Sequence, residues 1–370
     1  MPVRPLPSNP NLDHLKYQAR DLLKEHASRT PGSAQRIREF HPRFAGATDA
    51  EIFDAALTLS AAQLTIAREH GFESWPRLKR RVEQPAQADG SSGPIHERIE
   101  DAELRQAVDL LDAGDAAGLR LYLAQHPDLV HRRAIFEGGN YFRNPSLLEF
   151  IAENPVRHGT LPANIVEVAR VVLDAGAGAE ARDEALALVA TGRVPRECGV
   201  QERLIDLLCA AGADPQMAVR SAAGHGEFAA VEALLRNGAK LDLPVAAALG
   251  RTGEFQRLLP RSSSQDRHLG LALASQFGHV EIVRLLLDAG EDPNRYNPVG
   301  GHSHSMPLHQ AAFGGHKELV RLLVERGGRL DMKDILWQGT PAGWAEYGGK
   351  IEIAEYLKAE AETRKIRGNG

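Results

Sequence analysis

The chain has 370 residues, 43% apolar and 25% charged, a balance that excludes a disordered polymer and leaves room for two ordinary domains or one elongated array. Its formal charge of -5 divides into 13 Lys/Arg against 10 Asp/Glu over residues 1–84 and 31 against 39 beyond them, which argues against nucleic-acid binding by phosphate neutralisation. No apolar leader follows Met1 and no run of about eighteen apolar residues occurs, so no membrane span is expected and a reducing cytoplasm is the expected compartment.

In chain order, Leu12, Leu15, Ala19, Leu22 and Leu23 make the apolar face of a first helix. Ser60 is expected to open a helix through Ala61, Leu64 and Ala67 that Gly71 closes, and Ser74 to cap another beginning Trp75-Pro76. These elements predict a small helical bundle over 1–84. The basic run Arg77–Arg81 reads as a solvated helix face. Residues 85–99 include a stretch rich in Pro, Gly, Ser and Ala without apolar periodicity, and they read as a flexible linker.

From about residue 100 the sequence repeats itself. "SAAGHGEFAAVEALLRNGAKLD" (221–242), "ASQFGHVEIVRLLLDAGEDPN" (274–294) and "AAFGGHKELVRLLVERGGRLD" (311–331) each show a short Ala-rich helix, a Gly-centred turn, a Val/Leu-Leu helix and a closing Gly. Small residues such as Ala311 and Ala312 admit a close neighbour. Leu319, Val320, Leu322 and Leu323 form a stripe that a single unit cannot bury, so stacked copies are required. The closing glycines Gly176, Gly212, Gly238, Gly290 and Gly327 are 36, 26, 52 and 37 residues apart. The interval of 52 hides a copy at 245–267, and the 26-residue copies leave room only for tight loops between units. A divergent first copy is expected at 104–130.

Met306-Pro307-Leu308-His309, Ala311-Ala312, Gly315-His316, Val320 with Leu322-Leu323, and Gly327 together resemble the ankyrin repeat; Gly339-Thr340-Pro341-Ala342 begins another copy. The resemblance implies an all-α solenoid of about eight units over 100–370. It also implies structural roles for His309, His316 and His279. The segments at 57–83, 164–177 and 199–215 are similar to a group of uncharacterised bacterial ankyrin proteins with a helical N-terminal module.

Several residues fall outside the repeat. His302 and His304 lie in a loop before a unit, where they fit contact with a partner or a weak metal site. The insertion at 134–164 carries Asn140, Tyr141, Arg143 and His158, and the segment 189–201 carries Thr191, Arg193, Arg196 and Gln201. Should both project to one side they could line one pocket; otherwise they merely cap degenerate repeats. Trp337, Trp344 and Tyr347 are expected on the concave face, where such rings serve as interface anchors. Cys198 and Cys209 match neither zinc nor redox spacing and are expected to be small core residues. No nucleophile elbow, phosphate loop or dinucleotide fingerprint is present, and no cofactor is expected.

The chain therefore reads as a scaffold that binds a protein partner through the concave face and loops of its array. Two alternatives stand beside this: a small-molecule binder or enzyme built on the two insertions, and a metal-responsive binder using His302 and His304.

Overall fold

The computed structural model describes residues 6, 12–30, 32–83, 95–136 and 141–368. By contact it separates into two compact units, 1–90 and 91–370. Residues 85–94 of the expected linker and the candidate Asn140 lie outside the described residues. Residues Ile95–Arg98 form a 3-10 turn, and Ile99 is already buried in the core of the second unit.

The first unit consists of α1 (Leu12–Ala27), α2 (Ser33–Phe40), α3 (Asp49–Asp54), α4 (Leu59–Glu69) and α5 (Trp75–Glu83). Leu15, Ala19 and Leu22 of α1 meet Ile37, Ile52, Ile66 and Leu78 in one core, as the apolar spacing of α1 requires. Helix α4 starts two residues earlier than expected, because the Thr58 hydroxyl, not that of Ser60, accepts from the Ala61 N–H. Helix α3 closes its first turn with a capping box between Thr48 and Glu51. The buried Glu69 carboxylate is compensated by both branches of Arg36, at 2.7 and 3.0 Å.

The second unit is a file of helix pairs. These are α6 (Ala102–Asp112) with α7 (Ala116–Gln125), and a 3-10 segment Leu147–Ala152 with α8 (Ile165–Asp174). Next come α9 (Ala179–Ala190), the short α10 (Arg193–Glu197) and α11 (Gln201–Ala210). Then follow α12 (Pro215–Gly224) with α13 (Phe228–Arg236), α14 (Leu243–Ala248) with α15 (Thr252–Leu258), and α16 (Ser264–Phe277) with α17 (Val280–Asp288). The last pairs are α18 (Pro307–Gly314) with α19 (Lys317–Glu325) and α20 (Pro341–Tyr347) with α21 (Ile351–Gly368). Among the described residues there is no strand beyond a single bridge between Arg133 and Ser146, so the all-α expectation holds.

First helices pack on first helices, α12 on α14, α14 on α16, α16 on α18 and α18 on α20, while α15, α17 and α19 make a second row. The core is continuous because α14 is shared: Val245 and Ala248 join the cluster running back to Ile99, whereas Leu243, Ala246 and Ala247 join the one running forward to Leu357. Where copies are only 26 residues long, the connection shrinks as expected, with α12 restarting three residues after Gly212.

Each of the later turns is clasped by the next unit. The His279 Nε2 donates to the Ala248 carbonyl at 2.9 Å, and the His316 Nε2 to the Gln276 carbonyl at 3.0 Å. Both rings lie directly over a glycine of the preceding turn. Gly250 and Gly278 have φ of +68° and +80°, and a Cβ at Gly278 would sit 2.5 Å from the His316 ring. Glycine is thus required twice over there, by the left-handed backbone and by the imidazole that covers it.

The segment 189–201 runs between α9 and α11 and holds a short helix of its own: Val194 and Pro195 of α10 are buried, and Gln201 opens α11. In the other insertion, residues 134–136 run beside 143–145, with the Ala134 N–H donating to the Pro145 carbonyl and the Phe136 N–H to the Arg143 carbonyl. In its return, Ser146 and Glu149 make a capping box on the 3-10 segment, and burial pushes the Glu149 carboxyl up to about 7.

Replacing Gly278 with Ala is expected to destabilise the array by about 2–4 kcal/mol, from left-handed backbone strain and loss of the His316 bond over a buried carbonyl. Urea unfolding of G278A beside G290A, a left-handed glycine with open space around it, measures this; equal losses would refute the clasp.

Candidate functional site

The expected site residues fall into three places. The first is around the 3-10 segment. Tyr141 donates to the Asn154 side chain at 2.6 Å, and Asn154 reaches the Leu188 carbonyl and the Thr191 hydroxyl, tying the insertion to the end of α9. Arg143 and Arg193 are exposed, and Arg193 pairs with Glu197. Arg196 and Gln201 both turn to Glu227 at the start of α13, and the Gln201 amide also donates to the Val189 carbonyl at 3.1 Å. Gln201 and Glu227 are buried, so these contacts hold one pair against the next.

The second place is at α6. His158 sits 3.1 Å from Asp112, beside Arg157, whose guanidinium bonds Asp112 at 2.6 and 2.8 Å and approaches Glu153 at 3.2 Å. Asp112, Glu153 and His158 form a set of three ligand-type side chains close enough to share an ion. The Arg157 cation already lies against both carboxylates, and the ring of Phe150 lies 4.9 Å beneath it. His158 is thus anchored to α6, and Arg196 and Gln201 to α13; the residues gathered for one pocket divide between two anchors.

The third place is the end of the array, where the loops at 291–306 and 328–340 run side by side. The Tyr296 hydroxyl donates to the Lys333 carbonyl at 2.7 Å, the Ile335 N–H to the His304 carbonyl at 2.8 Å, and the Asn294 amide to the Gly327 carbonyl. The first loop leans back over α16: Gly301 is buried against Ala272 and Leu269, and the Gly300 carbonyl lies 3.0 Å from where a Cβ on Gly224 of α12 would be. This fold-back fills the inner face over α16. The inner face over α18 and α20 carries instead a wall of rings.

Trp344 is the centre of that wall. Its ring lies 5.3 Å from His309, 5.7 Å from His304, and 6.0 Å from both Phe313 and Trp337, and Phe313 in turn stacks on Tyr347. What orients it is Asp334, a fully buried carboxylate that accepts from the Leu336, Trp337 and Gly339 N–H groups and from the Trp344 indole at 3.0 Å. One charge thereby fixes both the loop tip and the ring below it. Outside the rings, Ile335 and Leu336 on the loop tip are 55% and 45% exposed, and Phe313 and Tyr347 on α18 and α20 are 42% and 36% exposed, so apolar side chains are offered to solvent on both sides of Trp344 in the chain.

His302 and His304 have rings 6.0 Å apart and perpendicular, and His304 packs edge-on to Trp337 at 4.9 Å. Burial holds both imidazoles below their ordinary range, His304 despite the nearby Asp334. Neither belongs to the set of three that could share an ion. His309 is fully buried, donates to the Gly339 carbonyl at 3.0 Å, and is pushed down to about 4 by burial. Sequence reasoning missed Asp334 and the exposed Ile335-Leu336 pair, because an Asp before a Trp in a loop has no periodicity to reveal its burial.

A family model for ankyrin repeats, in three copies, matches residues 271–366, the stretch that includes this wall. The chain is 33% identical over 120 residues to cyclin-dependent kinase 4 inhibitor B of Bos taurus, covering 25% of this chain and 91% of the relative. It is 32% identical over 124 residues to cyclin-dependent kinase inhibitor 2A of Homo sapiens, covering 32% and 76%. With ankyrin repeat and SAM domain-containing protein 6 of Mus musculus it shares 33% identity over 108 residues, 29% of this chain but only 12% of that relative. No helix among the described residues is long and apolar enough to cross a membrane.

Asp334→Ala is expected to cost about 2–4 kcal/mol, since three backbone N–H groups and an indole lose their acceptor. It should also shift tryptophan emission to the red as Trp337 and Trp344 become wetter; an unshifted spectrum would mean that Asp334 does not hold the wall.

Proposed function

The chain belongs to the ankyrin-repeat family and is a protein–protein interaction scaffold; from that premise we propose that its partner docks on the inner face over α18 and α20. The observation that carries this is the ring wall centred on Trp344, with Ile335, Leu336 and Tyr347 as its exposed rim. Large rigid rings on a scaffold that does not need to reorganise are the residues that anchor interfaces at low entropic cost. His304, Trp337, Trp344 and Tyr347 are the proposed contact residues, with His302 at the border. The polar residues Arg143 and Arg193 are a secondary contact, whereas Arg196, Gln201 and His158 are engaged in holding the array together.

The 1–84 bundle is read as a separate module, of the kind found in the bacterial group that the sequence resembles; the linker read over 85–99 ends before Ile99, which belongs to the core of the second unit. Both cysteines are free thiols, which agrees with a cytoplasmic location; Cys198, expected in the core, is exposed because it follows the last residue of the short α10, and Cys209 is half-buried.

A photo-crosslinking residue placed at position 347 or 336 of the full chain, in its own cells, is expected to capture one discrete protein. The same residue at position 321, on α19, should capture none. Capture from 321 but not from 347 or 336 would overturn the assignment of the face.

A further inference from the structure

The charges around the wall are not balanced. Its acids are engaged within the chain: Asp334 by four donors, Glu346 by Lys358, Glu352 by Lys317 and Asp331 by Arg329 at 2.8 Å. Two lysines have no ion pair among the described residues, and they stand at opposite borders. Lys333 lies at the loop border, where its carbonyl is pinned by Tyr296 and its ammonium is left outside. Lys350 lies at the border formed by the turn between α20 and α21, with its chain laid over Gly315, two residues from Phe313. His302 and His304 add no negative charge.

An apolar strip flanked on both sides by unpaired ammonium groups selects a ligand with the reverse pattern. We propose that the docking segment of the partner is an acidic peptide with apolar anchors, its large side chains on Leu336, Trp344 and Tyr347 and its carboxylates reaching Lys333 and Lys350. This rests on the docking face proposed above and adds to it the chemistry of the occupant. Two features favour a peptide over a nucleic-acid strand. The aliphatic pair Ile335-Leu336 suits side-chain anchors better than stacked bases, and the overall charge is negative.

The test is selection of a random displayed peptide library against the full chain, followed by binding of the recovered peptides to variants. Enriched sequences are expected to place Asp or Glu on both sides of aromatic or aliphatic residues. Affinity should fall about tenfold in the double variant K333E/K350E and weaken with salt, while K240E, on a different loop, leaves it unchanged. Leu336→Asp, at a side chain 45% exposed, should abolish binding, with the melting temperature as the control for folding. Recovered peptides that are neutral or basic, and that are lost in L336D but indifferent to K333E/K350E, would overturn the acidic partner and leave the face intact. Failure to recover any peptide that L336D weakens would overturn both. Single-stranded oligonucleotide bound through the same lysines, with no peptide competing, would also overturn it.

Discussion

One contact holds the later part of this molecule in register: the Nε2–H of an imidazole at the start of one unit's second helix donates to a carbonyl that ends the preceding unit's first helix. His279 makes it to Ala248 and His316 to Gln276. Helix C-termini leave carbonyls without intrahelical partners, and here the neighbouring unit supplies the donor. Because the ring must lie flat over the turn, the turn must contain a glycine, and because the turn is a left-handed one, glycine suits it anyway. At Gly315 the same place is covered by the aliphatic stem of Lys350, so the last junction is closed by packing instead of by a hydrogen bond. The Lys350 ammonium has no ion pair among the described residues.

His309 extends the same logic across the inner face. Bonded to the Gly339 carbonyl, it ties the start of α18 to the loop that precedes α20, and the buried Asp334 then gathers that loop's N–H groups and the Trp344 indole. The exposed surface is therefore built on polar contacts that are themselves fully satisfied. That is the condition for a rigid docking face, because the cost of ordering it is met in folding and not at binding.

Much of this was legible in the residues. The Ala-Ala, Gly-His and Leu-Leu pattern fixes the helix pairs and their spacing, and the histidines of the motif proved structural. At the start of α4 and around α10 less was legible. Thr58 outcompeted Ser60 as a cap by position alone, and the 189–201 segment hid a five-residue helix because Pro195, which reads as a loop residue, is compatible with a first turn. That the polar residues of the two insertions divide between two anchors was illegible for a different reason. His158, Arg196 and Gln201 look like free polar groups in one dimension, and their partners Asp112 and Glu227 are far away in the chain and close only in the fold. Burial of Asp334 was hidden in the same way.

The clasp is the claim on which the rest stands, and it specifies a protonation state. Donation to a carbonyl requires a proton on Nε2 at His279, His309 and His316, and for His309, whose burial lowers it to about 4, the neutral ring should persist as the pH falls through 6. The sign is that of a depressed imidazole: the stability it confers is complete above the ordinary histidine range near 6.5 and is lost as the pH falls toward 4. Long-range nitrogen–proton spectra of the histidine-labelled chain read the tautomer of each ring directly. The account predicts Nε2–H at all three at pH 7, retained by His309 at pH 5.5; an Nδ1–H tautomer at His279 or His316, or a charged His309 at pH 5.5, would contradict it.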